Sequence, residues 1–240
     1  MKDKVVLVTG GGAGIGKAIA KRFIQLGASV VITGRRESKL SETAKELGAN
    51  ASYIAGDVSE TGIPKKMIQE TIEKHGRLDV LVNNAGISST GPLVDVLDED
   101  IEAVFKTNLF APLAFIREAS SELIKAKGSV INISSVLSKG VMPALSVYSA
   151  TKAAIDHSTR VLAAEYGPKG VRVNAVAPGF TMTEMTEGMD QEFVKPWIDM
   201  TPLGRAGTPD EIATVVSFLA TDDAKWVTGQ IIQAAGGVMI

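Results

Sequence analysis

The chain has 240 residues, 45% of them hydrophobic and 22% charged, and a formal net charge of -2. That length can bury a sizeable core, and the near-neutral balance gives no electrostatic case for nucleic acid or an anionic membrane surface. Without a single cysteine, disulfides, thiolate catalysis and cysteine metal sites are excluded, and His75 and His157 are too few and too far apart for a metal centre, each reading as a helix-surface residue. The first ten residues hold an apolar run only from Val5 to Val8, which fits neither a signal peptide nor a membrane span, so a cytoplasmic enzyme is expected.

Strand-length apolar runs alternate with longer helical patterns from the start. The expected strands are Lys4 to Thr9, Ser29 to Thr33, Ala51 to Ala55, Asp79 to Val82, Ser129 to Ile133, Val171 to Val176 and Ile231 to Gln233. Several are continuous β-branched runs, as parallel strands buried on both faces require. Helices are expected over Gly14 to Leu26, Glu37 to Leu47, Thr61 to His75, Glu99 to Lys125, Val147 to Tyr166 and Pro209 to Leu219. With no proline-rich linker or low-complexity break, the rhythm predicts one α/β domain, a doubly wound parallel sheet with helices on both faces. Such sheets bind ligands beyond the carboxyl ends of their strands, so each loop after a strand is a candidate.

The first such loop is Thr9-Gly10-Gly11-Gly12-Ala13-Gly14-Ile15-Gly16. Glycines let the backbone turn tightly and approach a ligand, and a helix N-terminus favours a phosphate. Gly11-x-x-x-x-Gly16-Lys17 is a near match to a P-loop, but Ala18 stands where a Ser or Thr should hold magnesium, and the strict Gly-x-Gly-x-x-Gly dinucleotide pattern does not fit either. At the end of the second strand, Gly34 leaves room and Arg35 supplies charge where a ribose 2'-phosphate would lie, against the alternative that Arg35 and Arg36 are solvated. Asp57 and Val58 follow the third strand, where the Asp side chain and its neighbouring backbone can bond an adenine edge or simply form a turn. The fourth strand runs into Asn83-Asn84-Ala85-Gly86, two amides and two small residues that a planar ligand could approach.

Pro112 lies inside the long helix expected next. Proline has no N–H, so the carbonyl of Asn108 loses its helical partner and is free to hold a water. After the fifth strand come Ser134 and Ser135, whose hydroxyls can orient a substrate oxygen. Tyr148 and Lys152 stand four apart and so share one helix face. A cation at roughly 4 Å in an effective dielectric of about 20 contributes about 4 kcal/mol, or about 3 pKa units, which would bring the phenol close to neutrality.

Together these residues resemble the short-chain dehydrogenase/reductase superfamily. The resemblance is carried by Thr9-Gly10-x-x-x-Gly14-Ile15-Gly16, Asp57, Asn83-Asn84-Ala85-Gly86, Asn108, Ser135, Tyr148-x-x-x-Lys152 and Pro178-Gly179, in that order across the chain. It implies a single Rossmann-type domain over residues 1–240 with seven parallel strands, and a nicotinamide cofactor contacted by Gly10, Gly12, Gly14, Ile15, Gly16, Arg35, Asp57, Val58, Asn84, Ala85, Gly86, Pro178, Gly179, Thr181 and Thr183. It implies further that Tyr148 is the general acid/base, that Ser135 bonds the same substrate oxygen, that Lys152 binds the nicotinamide ribose and lowers the Tyr148 pKa, and that the Asn108 carbonyl holds a water. NADP(H) is the preferred cofactor by Arg35, with NAD(H) possible.

In loop lengths and in its Ala177-Pro178-Gly179-Phe180 and Gly236-Gly237 segments the chain is most similar to 3-oxoacyl-acyl-carrier-protein reductases. A 3-oxoacyl thioester, linked to acyl carrier protein or coenzyme A, is then the expected substrate, with an alcohol, sugar or polyol dehydrogenase as one alternative and a non-catalytic nucleotide-binding sensor as another. Two features depart from that group. Ala126 and Lys169 occupy the positions of its carrier-docking arginines, and Ala13 replaces a basic residue common in NADP enzymes. The resemblance places a substrate lid at about residues 181–208, where Met182, Met185, Met189, Met200, Phe193 and Trp197 give an adaptable apolar surface. It also places the apolar terminus from Gly236 to Ile240 in the interface of a homodimer or homotetramer.

Overall fold

The computed structural model describes residues 1–238 other than Met185, Glu187 and Asp190, with Gln191 and Phe193 described in backbone only. All seven expected strands form: β1 (Val5–Thr9), β2 (Ser29–Gly34), β3 (Ala51–Ala55), β4 (Val80–Asn83), β5 (Ser129–Ile133), β6 (Arg172–Pro178) and β7 (Ile231–Ala234). They make one parallel sheet in the order β3-β2-β1-β4-β5-β6-β7, so the order reverses between β1 and β4. The helices are α1 (Gly14–Gln25), α2 (Glu37–Leu47), α3 (Ile63–His75), α4 (Asp98–Phe105), α5 (Ala111–Ala126), α6 (Ser146–Tyr166), α7 (Gln191–Asp199) and α8 (Pro209–Ala220).

Both faces of the sheet are buried because each strand is apolar at odd and even positions alike. Val6 and Val8 of β1, Val80 and Val82 of β4, and Ile131 of β5 face one core with Ile19 and Phe23 of α1 and Val216 and Leu219 of α8. Leu7, Leu81 and Val130, the residues between, face the other with Ile68 of α3 and Phe115 and Ile116 of α5. The two-residue side-chain period of a strand divides one continuous apolar run between two cores. At the amino edge of the sheet, Asp79 stands just outside β4 and takes hydrogen bonds from Arg77, Lys4 and the Val5 N–H.

The expected helix from Glu99 to Lys125 is in fact two helices joined by a π turn over Lys106–Phe110, in which the Ala111 N–H reaches back to the Lys106 carbonyl. Pro112 gives the reason. It removes the donor that an uninterrupted α-helix would offer to Asn108, and a π turn accommodates the break by shifting to i→i+5 bonds. Short-range patterning did not anticipate α7, which carries Pro196 internally. His157 is exposed as expected, whereas His75 is only half exposed and its ring nitrogen lies 3.2 Å from the Ser52 hydroxyl. No described helix is long and apolar enough to cross a membrane.

Candidate active site

The glycine loop follows β1 and meets the N-terminus of α1 at the point where the strand order reverses. Gly10 and Gly14 sit at φ +66° and +51°, conformations that side-chain-bearing residues rarely adopt. A Cβ on Gly16 would collide with the Gly10 carbonyl oxygen and lie 2.6 Å from the Asn84 amide nitrogen, so α1 packs onto the loop only because no side chain intervenes. Ala13 caps α1 without a side-chain bond, leaving the first-turn N–H groups with no side-chain acceptor. Lys17, the cation a P-loop would need, is paired with Glu46 at 2.6 Å on the surface.

Asn84 was expected to meet a ligand through its amide. Its Nδ2 instead donates to the Thr9 and Gly10 carbonyls at 2.9 and 3.2 Å, while its N–H and that of Ala85 donate to the Thr9 hydroxyl. That amide joins the β1 and β4 loops, leaving Ala85 and Gly86 as the open backbone. The Gly12 carbonyl accepts from the Thr43 hydroxyl of α2 at 2.9 Å, and Thr183 packs against Gly14, where a Cβ would be 3.4 Å from its own.

At the end of β2, Arg35 is exposed with its guanidinium 3.8 Å from Asp57. Asp57 also accepts from the Ser59 N–H and hydroxyl, so it acts as a turn residue as well as lying at the expected edge. Arg36 and Lys39 lie 3.6 and 3.4 Å from Glu184. Beyond β6, Pro178 and Gly179 are held against β7, where a Cβ on Gly179 would be 3.0 Å from Ala235, and the Thr181 hydroxyl donates to the Gly179 carbonyl.

The carboxyl end of β5 brings the expected catalytic residues together. Ser135 caps the short turn 136–138 by accepting from the Leu137 N–H at 3.2 Å, and its hydroxyl lies near enough to Tyr148, at the start of α6, to lower the phenol's pKa. Ser134 is turned away, its hydroxyl 3.5 Å from the Lys152 carbonyl and its N–H on the Val176 carbonyl. Lys152 is buried, donates to the Ile133 carbonyl at 2.7 Å and sits 5.5 Å from the centre of the Tyr148 ring. Asn108, brought against α6 by the π turn, bonds the N–H and carbonyl of Ile87 at 2.9 Å each and the Thr151 hydroxyl at 3.2 Å. With its side chain committed in this way, only the main-chain carbonyl of Asn108 remains for another role.

The electrostatics correct one expectation. Burial pushes the Tyr148 phenol above its ordinary pKa, and the hydrogen bond from Ser135 offsets this only in part. Lys152 does not bring the phenol to neutrality, because the lysine is itself stripped of water and its ammonium is directed at Ile133. Burial lowers the Lys152 pKa to about 8, against a smaller opposing pull from Asp156.

A family model described as Enoyl-(Acyl carrier protein) reductase matches residues 10–239. A 3-oxoacyl-[acyl-carrier-protein] reductase from Chlamydia muridarum is 37% identical over 241 residues, which cover 98% of this chain and 97% of that protein. A diacetyl reductase, (S)-acetoin forming, from Staphylococcus epidermidis is 34% identical over 254 residues, covering 99% of each. The chain belongs to the short-chain dehydrogenase/reductase family. A solved dehydrogenase/reductase from Sinorhizobium meliloti 1021 superposes with a TM-score of 0.95 at 37% identity, covering 99% of this chain and 95% of that one.

As a member of this family the chain is an oxidoreductase of the NAD(P)-dependent kind, and its residues fit such a cofactor. The fit rests on the tight glycine loop, with Gly10 and Gly14 at positive φ, and on the first turn of α1, whose N-cap offers no side-chain acceptor. Trp197 of α7 is buried and stacks on Phe180 with ring centres 6.2 Å apart, in a small cluster with Val136, Leu137 and Val238 that touches Tyr148. Met182, Met189 and Met200 are largely exposed, while Met185, the Phe193 side chain, Met239 and Ile240 lie outside the described residues. Lys127 and Lys169, near the carrier-docking positions, precede β5 and β6 and therefore sit at the opposite edge of the sheet from Tyr148. Asp156, a buried carboxylate one turn after Lys152, was missed in the sequence, where a lone Asp in an amphipathic helix reads as solvated.

Proposed function

We propose that the chain is an NADPH-dependent reductase that converts a carbonyl to a secondary alcohol, with a 3-oxoacyl thioester as substrate. The observation that carries this reading is the placement of the Ser135 hydroxyl beside the Tyr148 phenol, with Lys152 buried behind the pair 5.5 Å from the ring centre. Two hydroxyls converging at the carboxyl end of β5 can both meet one substrate oxygen.

The cofactor, when bound, supplies the hydride. Tyr148 hands its phenolic proton to the substrate oxygen, and Ser135 donates a hydrogen bond to the same atom. A phenol is protonated at neutral pH, as the acid of the reductive direction must be. Lys152 would hold the ribose hydroxyls and keep a positive charge behind the phenol. Gly10, Gly12, Gly14, Ile15 and Gly16 would cradle the pyrophosphate, with Asp57 and Val58 toward the adenine, Ala85 and Gly86 along the cofactor, and Pro178, Gly179, Thr181 and Thr183 toward the nicotinamide. The segment 181–208 would serve as the substrate lid.

Preference for NADPH rests on Arg35. An exposed pair at 3.8 Å is weak, so Asp57 leaves the guanidinium available to a 2'-phosphate. The test is steady-state turnover of acetoacetyl-coenzyme A, with NADPH and NADH in parallel and with diacetyl, crotonyl-coenzyme A and a panel of secondary alcohols as competitors. The reading expects the 3-oxoacyl thioester with NADPH to give the highest kcat/KM. A clear NADH preference overturns the cofactor assignment, and a better diacetyl or alcohol substrate overturns the thioester. The diacetyl arm is included because the Staphylococcus relative carries that activity in its name.

A further inference from the structure

Asp156 lies one turn beyond Lys152 on α6, is 3% exposed, and has no hydrogen-bond partner on either carboxylate oxygen among the described residues. Taking a carboxylate out of water without a partner costs several kcal/mol, and an apolar or amide side chain would fill the position at less cost. The site is unusual for a second reason. Four residues of helix place Asp156 on the same face as Lys152, the buried cation whose charged form it favours.

No described residue forms an ion pair with Asp156, and Arg160, one turn further along α6, is exposed. The elements packed most closely on α6 are β6, the turns 136–138 and 167–169, the π turn and α4. Arg172 of β6 is committed to the carbonyls of Leu219, Val227 and Thr221, Lys106 of the π turn to Glu102, and Lys169 lies over the Tyr166 ring. Asp98, Glu99, Asp100 and Glu102 of α4 are exposed, and the turn 136–138 carries no charge.

We propose that Asp156 is a positioning residue of the active centre, whose buried carboxylate holds Lys152 as an ammonium on the Ile133 carbonyl behind Tyr148. This rests on the reading of Tyr148 and Lys152 given above. Without Asp156, the desolvation of Lys152 is unopposed and the ammonium is lost at a lower pH, taking with it the charge behind the phenol and a donor to the cofactor ribose.

The experiment follows the Lys152 side chain directly, by NMR titration of 13C-lysine-labelled protein with the Lys152 signal assigned from Lys152→Arg. Replacing the carboxylate by the amide, Asp156→Asn, should lower the Lys152 midpoint by on the order of one unit, whereas Asp156→Glu should restore it. Activity of the Asp156→Asn enzyme with acetoacetyl-coenzyme A and NADPH should then fall about fivefold near pH 8 while staying close to native at pH 6, with the alkaline limb of its profile moved by the same amount as the midpoint. A Lys152 midpoint unchanged in Asp156→Asn overturns the proposal, including when that variant merely melts at a lower temperature. Should the amide variant not fold, Asp156→Ser makes the same comparison of midpoints. If the native protein reduces no carbonyl, the catalytic reading fails by itself, and the NMR midpoint still decides whether Asp156 holds the charge.

Discussion

Gly16 and Gly10 are in such close apposition that a Cβ on the first would strike the carbonyl oxygen of the second. This contact lets α1 start directly beneath the loop that would carry a pyrophosphate, so fold and binding surface depend on the same absent side chain. A Gly16→Ala chain should lose about 1–3 kcal/mol from overpacking and bind NADPH far more weakly. Gly12→Ala, whose Cβ would meet only the movable Leu40 side chain at 3.3 Å, should lose much less stability. Urea unfolding and calorimetric cofactor titration of the two variants provide the comparison, and equal losses would show that the close approach at Gly16 is unimportant.

Tyr148→Phe removes the proposed proton donor and keeps the ring in its cluster with Trp197, Phe180 and Leu137. Turnover should fall by about 10²–10⁴-fold, the usual contribution of a positioned acid, with cofactor affinity nearly unchanged. Ser135→Ala should reduce kcat as well, and it should raise the Tyr148 pKa further because the bond that partly offsets burial is gone. Turnover retained in Tyr148→Phe would remove this tyrosine from the reaction.

Much of this arrangement was legible in the sequence because it is written in local chemistry. The strands announce themselves as β-branched runs, and the glycine loop, the Asn83-Asn84 pair and Tyr148-x-x-x-Lys152 keep their spacing whatever they pack against. What the sequence did not show arises where distant segments meet. The Asn84 amide reads as a ligand group until β1 places two carbonyls against it. Lys152 reads as a free charge at helical spacing from Tyr148, yet β5 supplies the Ile133 carbonyl that directs its ammonium, and the surrounding core lowers its pKa. Asp156 escaped notice for the same reason, since nothing in its neighbours along the chain says that its face of α6 is buried.

A lysine whose folded pKa is depressed costs stability wherever the unfolded chain keeps the proton. For Lys152 the folded value is about 8 and the unfolded value about 10.4, so between those limits the unfolded state binds more protons and stability rises with pH. Below about pH 8 the full penalty applies, on the order of 3 kcal/mol before the Ile133 hydrogen bond is counted against it. Native protein should therefore gain stability relative to Lys152→Met as pH rises from 7.5 to about 10. The raised Tyr148 pKa acts in the opposite sense, but only above the ordinary phenol value near 10. Denaturant unfolding of both proteins at pH 7 and pH 9.5 tests this, and a constant difference would mean that Lys152 titrates as an exposed lysine does.

Asn108 offers a separation between a side-chain role and a main-chain role. Its amide satisfies both backbone groups of Ile87 and reaches Thr151, so Asn108→Ala leaves a partly buried donor and acceptor without that partner, at about 1 kcal/mol each. The chain should lose stability on that scale, and the loop from Gly86 to Ile87 should exchange its amide protons faster. If the proton route runs through the Asn108 carbonyl, displacement of the π turn will lower kcat more than it raises KM, because the substrate contacts at Ser135 and Tyr148 are untouched. Pro112→Ala isolates the main-chain effect. It offers the Asn108 carbonyl an N–H while keeping the amide side chain itself, and should lower kcat with a smaller loss of stability than Asn108→Ala. Hydrogen exchange at Ile87 and kcat measured on both variants decide the matter: loss of rate in Asn108→Ala alone would confine the residue to holding the loop.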